Sequence, residues 1–114
     1  MTLTELSALI KARPLSRPEN LREATCGYVC DLLSWVMARG QPGMAWVTVQ
    51  THLNVIAVAS LHEMACVILP DDIKMEEAVL AKALEEGIAV YTSPLSAYEI
   101  CGRLMAKGLV PALD

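Results

Sequence analysis

The chain has 114 residues, a formal net charge of −4, 54% hydrophobic residues and 4% aromatic ones, with no Phe. That length fits one domain over 1–114 with a single modest core, built here from Ala, Val, Ile, Leu and Met. The lack of a basic run argues against a nucleic-acid partner, no apolar stretch approaches the about 20 residues of a membrane span, and Glu5 interrupts any signal-like start, so a cytoplasmic protein with four reduced Cys is expected.

Thr2-Leu3-Thr4-Glu5 has the form of a capping box. Leu6, Leu9 and Ile10 follow at helical spacing, which predicts a short helix within 1–12 that ends before Pro14. Residues 13–20 (RPLSRPEN) read as a loop with room for a short edge strand. Residues 21–29 read as a strand interrupted by Gly27. Asp31 is placed to cap a helix over 32–38 that Gly40 ends, and Gln41-Pro42-Gly43 is a turn. Residues 45–50 form the clearest strand. A helix over 52–64 follows, with Leu53, Ile56, Ala57, Ser60 and Leu61 able to share a face. ACVIL (65–69) is a buried strand, and 75–86 is a helix with acids in its first turn and Gly87 beyond its end. IAVY (88–91) is another buried strand. Ser93-Pro94 reads as the cap and first position of a last helix reaching about residue 107.

The second half therefore alternates strand and helix. That pattern predicts a three-layer α/β/α sandwich with a mostly parallel central sheet and helices on both faces. In such sheets ligands sit beyond the carboxyl ends of the strands. Three polar junctions are expected on that rim: residues 50–54 (QTHLN), Pro70-Asp71-Asp72, and residues 92–96 (TSPLS). The polar THLN between the apolar runs WVTVQ and VIAVAS is thus a strand-to-helix turn.

Thr51 and Ser93 read first as helix caps, worth about 1 kcal/mol each. A helix start also favours an anion, although no GxGxxG or GxxxxGK[ST] loop is present. His52 lies in the rim turn, whereas His62 lies ten residues further on, roughly 280° around a helix at about 100° per residue, so the two cannot share a metal. Cys26 and Cys30 in CGYVC would lie roughly 13 Å apart in a strand at about 3.3 Å per residue, too far for a disulfide or a shared metal. Cys66 and Cys101 read as packing residues. Asp71-Asp72 reads as a solvated turn, or as a divalent-cation site completed by a ligand phosphate. No nucleophile–base pair is visible, so neither a catalytic role nor a cofactor is expected.

The segments TVQTHLNVIAVASL (48–61), ACVILPDD (65–72) and EEGIAVYTSPLSAYEICGRL (85–104) together resemble the small DRTGG-domain proteins. In LREATCG (21–27), Arg22, Thr25 and Gly27 fit the family signature, while Leu21 stands for its Asp and Cys26 for its first Gly. The resemblance covers most of the chain and is weakest over 1–20. It implies the three-layer fold of the N-terminal domain of HPr kinase/phosphorylase, and a regulatory, dimer-forming role near adenine-nucleotide sites, as in CBS-containing pyrophosphatases. Kinase chemistry is not implied, because the chain has no P-loop. The expectation is a homodimeric, ligand-sensing module whose rim of Thr51, His52, Asn54, Thr92, Ser93 and Ser96, joined by Thr25 and Gly27, binds a small anionic ligand such as an adenine nucleotide. The alternative is an interaction module with a protein partner and no ligand.

Overall fold

The computed structural model describes residues 1–113. Ten elements follow in order: α1 (Leu3–Leu9), β1 (Arg13–Ser16), β2 (Cys26–Val29), α2 (Leu33–Arg39), β3 (Met44–Val47), α3 (Leu53–Leu61), β4 (Cys66–Leu69), α4 (Glu77–Glu85), β5 (Ala89–Thr92) and α5 (Ala97–Ala106). They build one five-stranded sheet in the order β1-β5-β4-β3-β2. Strands β2 to β5 are parallel in register, for example Trp46 with Val67 and Val67 with Val90, and β1 pairs antiparallel with β5.

The period-2 alternation of the strands divides the core. Met44, Trp46, Val67, Leu69 and Val90 point to one layer with Val36 of α2, Ile56 of α3 and Val79 of α4. Ala45, Val47, Cys66, Ile68 and Tyr91 point to the other with Leu3 and Leu6 of α1 and Ile100 and Leu104 of α5. Strands β3, β4 and β5 are buried along their whole length, which is why they read as continuous apolar runs. The expected α/β/α sandwich is the observed one.

The capping box at α1 is present: Thr2 Oγ1 accepts from the Glu5 N–H at 3.1 Å, and the Glu5 carboxylate accepts from Thr2. Other helix starts differ from expectation. Asp31 caps nothing; the N-cap of α2 is Leu32, without a side-chain bond. The Asp31 carboxylate instead accepts from Thr48 Oγ1 at 2.8 Å and from the Val49 N–H at 2.9 Å, joining the ends of β2 and β3. A strand end supplied charge-assisted donors that a helix start would otherwise have supplied. Asp31→Ala should lower stability by about 1.5–3 kcal/mol, measured by urea unfolding.

Residues 109–113 lie beyond the last helix expected from the sequence. After α5, Gly108 takes φ +99° and the chain returns across the β2 edge. The Gly27 N–H donates to the Val110 carbonyl at 2.9 Å, and the Ala112 N–H donates to the Gly27 carbonyl at 3.1 Å. Leu109 packs in the α1/α5 layer and Ala112 against the opposite one. The Gln41 side chain then brackets Leu113, donating to its carbonyl and accepting from its N–H. The tail is a short strap wrapped around the sheet edge.

Candidate functional site

The parallel pairing of β3, β4 and β5 brings their carboxyl ends to one rim. The three polar junctions lie there together, as expected. The helix after β4 covers one face and the helix after β5 the other, so the two loops part at this point. A divergence of that kind ordinarily opens a ligand crevice. Here it is sealed. The Asp71 N–H donates to the Leu95 carbonyl at 2.9 Å, and the Asp72 N–H donates to the Ser93 carbonyl at 2.8 Å. Asp71 and Asp72 both take φ +56°, a left-handed pair that lets two successive amides reach one neighbouring loop.

The hydroxyls of Thr92 and Ser93 belong to the same seal. Thr92 Oγ1 donates to the Ile73 carbonyl at 2.6 Å. Ser93 Oγ donates to the Ile10 carbonyl at 2.6 Å and accepts from the Leu95 N–H at 3.1 Å. Both residues are fully buried. They hold loops rather than face solvent, which corrects their placement among ligand-facing groups. Ser93 does not cap the last helix, and Pro94 is not its first residue. Ser96 is the N-cap, its hydroxyl accepting from the Glu99 N–H at 3.2 Å.

The α3 start is more open. Its cap is His52 rather than Thr51: His52 Nδ1 accepts from the Asn54 N–H at 3.1 Å, which leaves Nε2 as the protonated nitrogen of the neutral ring. His52 and Asn54 are exposed and Thr51 is half-buried. Helices α1, α4 and α5 each carry an acid in the first turn, whereas α2 and α3 carry none. The positive end of the α3 dipole is therefore not neutralised by its own sequence.

Thr25 and Gly27 do not join this rim. Thr25 precedes β2 at the amino end of the sheet, where its hydroxyl lies 3.5 Å from the Pro42 carbonyl. Gly27 is inside β2, paired with Ala45. The strand is parallel to its neighbours, so its first residues sit at the end opposite His52. Gly27 instead floors an apolar cleft of about 280 Å³ formed with Ala45, Val47, Met105, Leu109 and Val110. That cleft was not legible in the sequence, because the tail that roofs it crosses from 83 residues away.

All four Cys are free. Burial pushes the Cys66 thiol up to about 12 and raises those of Cys26 and Cys101. His52 and His62 end up at opposite ends of α3, where His62 Nε2 lies 2.8 Å from the Met37 carbonyl. Among the described residues, no group of three or more His, Cys, Asp or Glu is placed to hold a metal ion, and no helix is long and apolar enough to cross a membrane.

No family model and no curated protein matches the chain. Among solved structures, it is similar to the CBS and DRTGG domains of the regulatory region of Clostridium perfringens pyrophosphatase, complexed with the activator diadenosine tetraphosphate. The TM-score is 0.77 at 12% identity, over 97% of this chain and 48% of that one. This chain thus spans about half the length of the structure it matches. At that identity the likeness speaks to architecture, and the architecture is a DRTGG-like α/β fold.

Proposed function

We propose that the chain is a non-catalytic regulatory module that senses a small anionic ligand, an adenine nucleotide first among candidates, at the start of α3. The observation that carries this reading is the uncompensated helix start: exposed His52 and Asn54, half-buried Thr51, and no acid in the first turn. The helix dipole favours phosphate there, and the His52 ring, whose Nδ1 caps the helix, keeps its Nε2–H as a donor toward it. Ser96 suits an anion less, because Glu99 already occupies the first turn of α5. Asp71 and Asp72 are exposed on the neighbouring loop, which makes the magnesium complex of a nucleotide the form to test. The activator bound to the similar pyrophosphatase region supplies the second probe.

Calorimetric titration and thermal unfolding with ATP and with diadenosine tetraphosphate, with and without Mg²⁺, test the reading. Ligand at about 100 times its Kd should stabilise the fold by about 2.7 kcal/mol, a melting shift of several degrees. His52→Ala should weaken binding about tenfold, equivalent to about 1.4 kcal/mol. No shift at millimolar nucleotide sinks the nucleotide reading.

A second reading, a dimerisation module, is favoured by one observation: the outer side of α3 is apolar, with Leu53 and Leu61 exposed.

A further inference from the structure

Helices α2, α3 and α4 pack on one face of the sheet, α1 and α5 on the other. A packed helix covers about two strands, since helix axes stand about 10 Å apart and strands about 4.8 Å. Two helices therefore leave part of a five-stranded sheet bare. The bare part falls over β2 and β3, where the apolar cleft beside the strap lies. Its floor is flat, because Gly27, with no side chain, is paired with Ala45, with one methyl. Met105 of α5 stands on one wall and Leu109 of the strap on the other. None of the eleven residues around the cleft is charged. The Tyr28 side chain packs in the opposite layer. That leaves the Cys101 thiol, a weak donor, as the polar side-chain group of the lining.

We propose that this cleft is a second binding site, for an uncharged, flat, apolar molecule of about two fused rings. The lining selects against charge, because an ion placed there meets no counter-ion. It also holds water poorly. An ordered water takes about three hydrogen bonds, and the strand backbones of the floor are paired with one another in the ladder. An apolar molecule that displaces such water gains affinity. Size points to the same class. An apolar cavity of about 150 Å³ takes benzene, and this one has about 280 Å³. A protein partner does not fit. The α5 wall runs from Cys101 to Met105, about one helical turn, whereas a stable protein contact takes about 800 Å² on each side. Burial raises the Cys101 thiol, so the wall stays neutral at neutral pH. The cleft lies on the face of the sheet away from α3, and its occupant is independent of the anion proposed there.

Fluorescence titration with phenylnaphthylamine, a neutral dye that brightens in apolar surroundings, provides the test, run beside its sulfonated counterpart. The neutral dye should bind at one site per chain, and the sulfonated one about tenfold more weakly or worse. Met105 is exposed at 58%, so Met105→Trp should fill the cleft from its open wall with unchanged far-UV circular dichroism. It should weaken the neutral dye about tenfold, or about 1.4 kcal/mol. Gly27→Ala provides a second variant. A Cβ there lies 3.4 Å from Leu109 Cδ2, an ordinary contact, so the fold holds while the floor rises and affinity falls. Leu61→Glu removes an exposed apolar side chain on α3 and should leave the dye unaffected. Absence of dye binding overturns the proposal. So does affinity that survives both Met105→Trp and Gly27→Ala, or that falls with Leu61→Glu instead. Equal or tighter binding of the sulfonated dye overturns the assignment to uncharged molecules.

Discussion

Trp46→Ala is expected to lower the unfolding free energy by about 3–5 kcal/mol, a large share of the about 5–15 kcal/mol that holds a domain of this kind. Trp46 is fully buried on the interior strand β3. It packs in the layer shared with Val36, Ile56 and Met64. Its aromatic neighbour Tyr28 is held in register on β2, and the short aliphatic side chains around it collapse poorly into a cavity of indole size. The indole also ties two strands together, since its Nε1–H donates to the Cys30 carbonyl at 2.9 Å, just beyond β2. Trp46→Phe keeps much of the volume and loses that bond, so it should cost clearly less than Trp46→Ala. Urea unfolding followed by far-UV circular dichroism measures both. A loss below about 1 kcal/mol for the Ala variant would contradict the packing described here.

Ser93→Ala and His52→Ala should differ in what they do to the ligand. Ser93 joins the end of α1 to the loop after β5 across 83 residues of chain. Removing its hydroxyl strands the Ile10 carbonyl and the Leu95 N–H in a buried place. Each such group costs about 1–3 kcal/mol when left unpaired, so Ser93→Ala should lose roughly 2–4 kcal/mol of stability while nucleotide affinity stays the same. His52→Ala should cost less stability, about 0.5–2 kcal/mol as a lost cap, and should weaken the ligand. Thermal unfolding and titration on the same two variants measure both effects. A stable Ser93→Ala protein with reduced affinity would return Ser93 to the ligand.

Most of the architecture could be read from the residues because the patterns were local. The β-branched runs at 45–47, 66–69 and 89–91 and the helix boundaries at Gly87 and Lys107 needed no tertiary information. Gathering the three rim junctions followed from parallel pairing alone. The errors came where two local signals competed. Ser93-Pro94 and Ser96 with Glu99 three residues later are both good helix starts; burial of Ser93 against Ile10, a contact made far along the chain, decided for the second. Asp31 and Thr51 were outbid in the same way, one by strand-end amides and the other by a histidine ring that reached the Asn54 N–H first. Thr25 and Gly27 were expected at the rim from their match to a family signature; β2 starts at Cys26 and runs parallel to β3, which sets both toward the amino end. The tail strap carries no periodic signal at all.

That strap has a consequence for how the protein behaves when crowded. A sheet that ends in bare amides and carbonyls is a template for fibres. At one margin β1 is four residues long, holds Pro14 and breaks register between Pro14 and Ser16. At the other, residues 110–112 occupy both backbone groups of Gly27. Neither margin offers the flat, unpaired run that recruits further strands, so concentrating the protein should not grow it into filaments by strand addition.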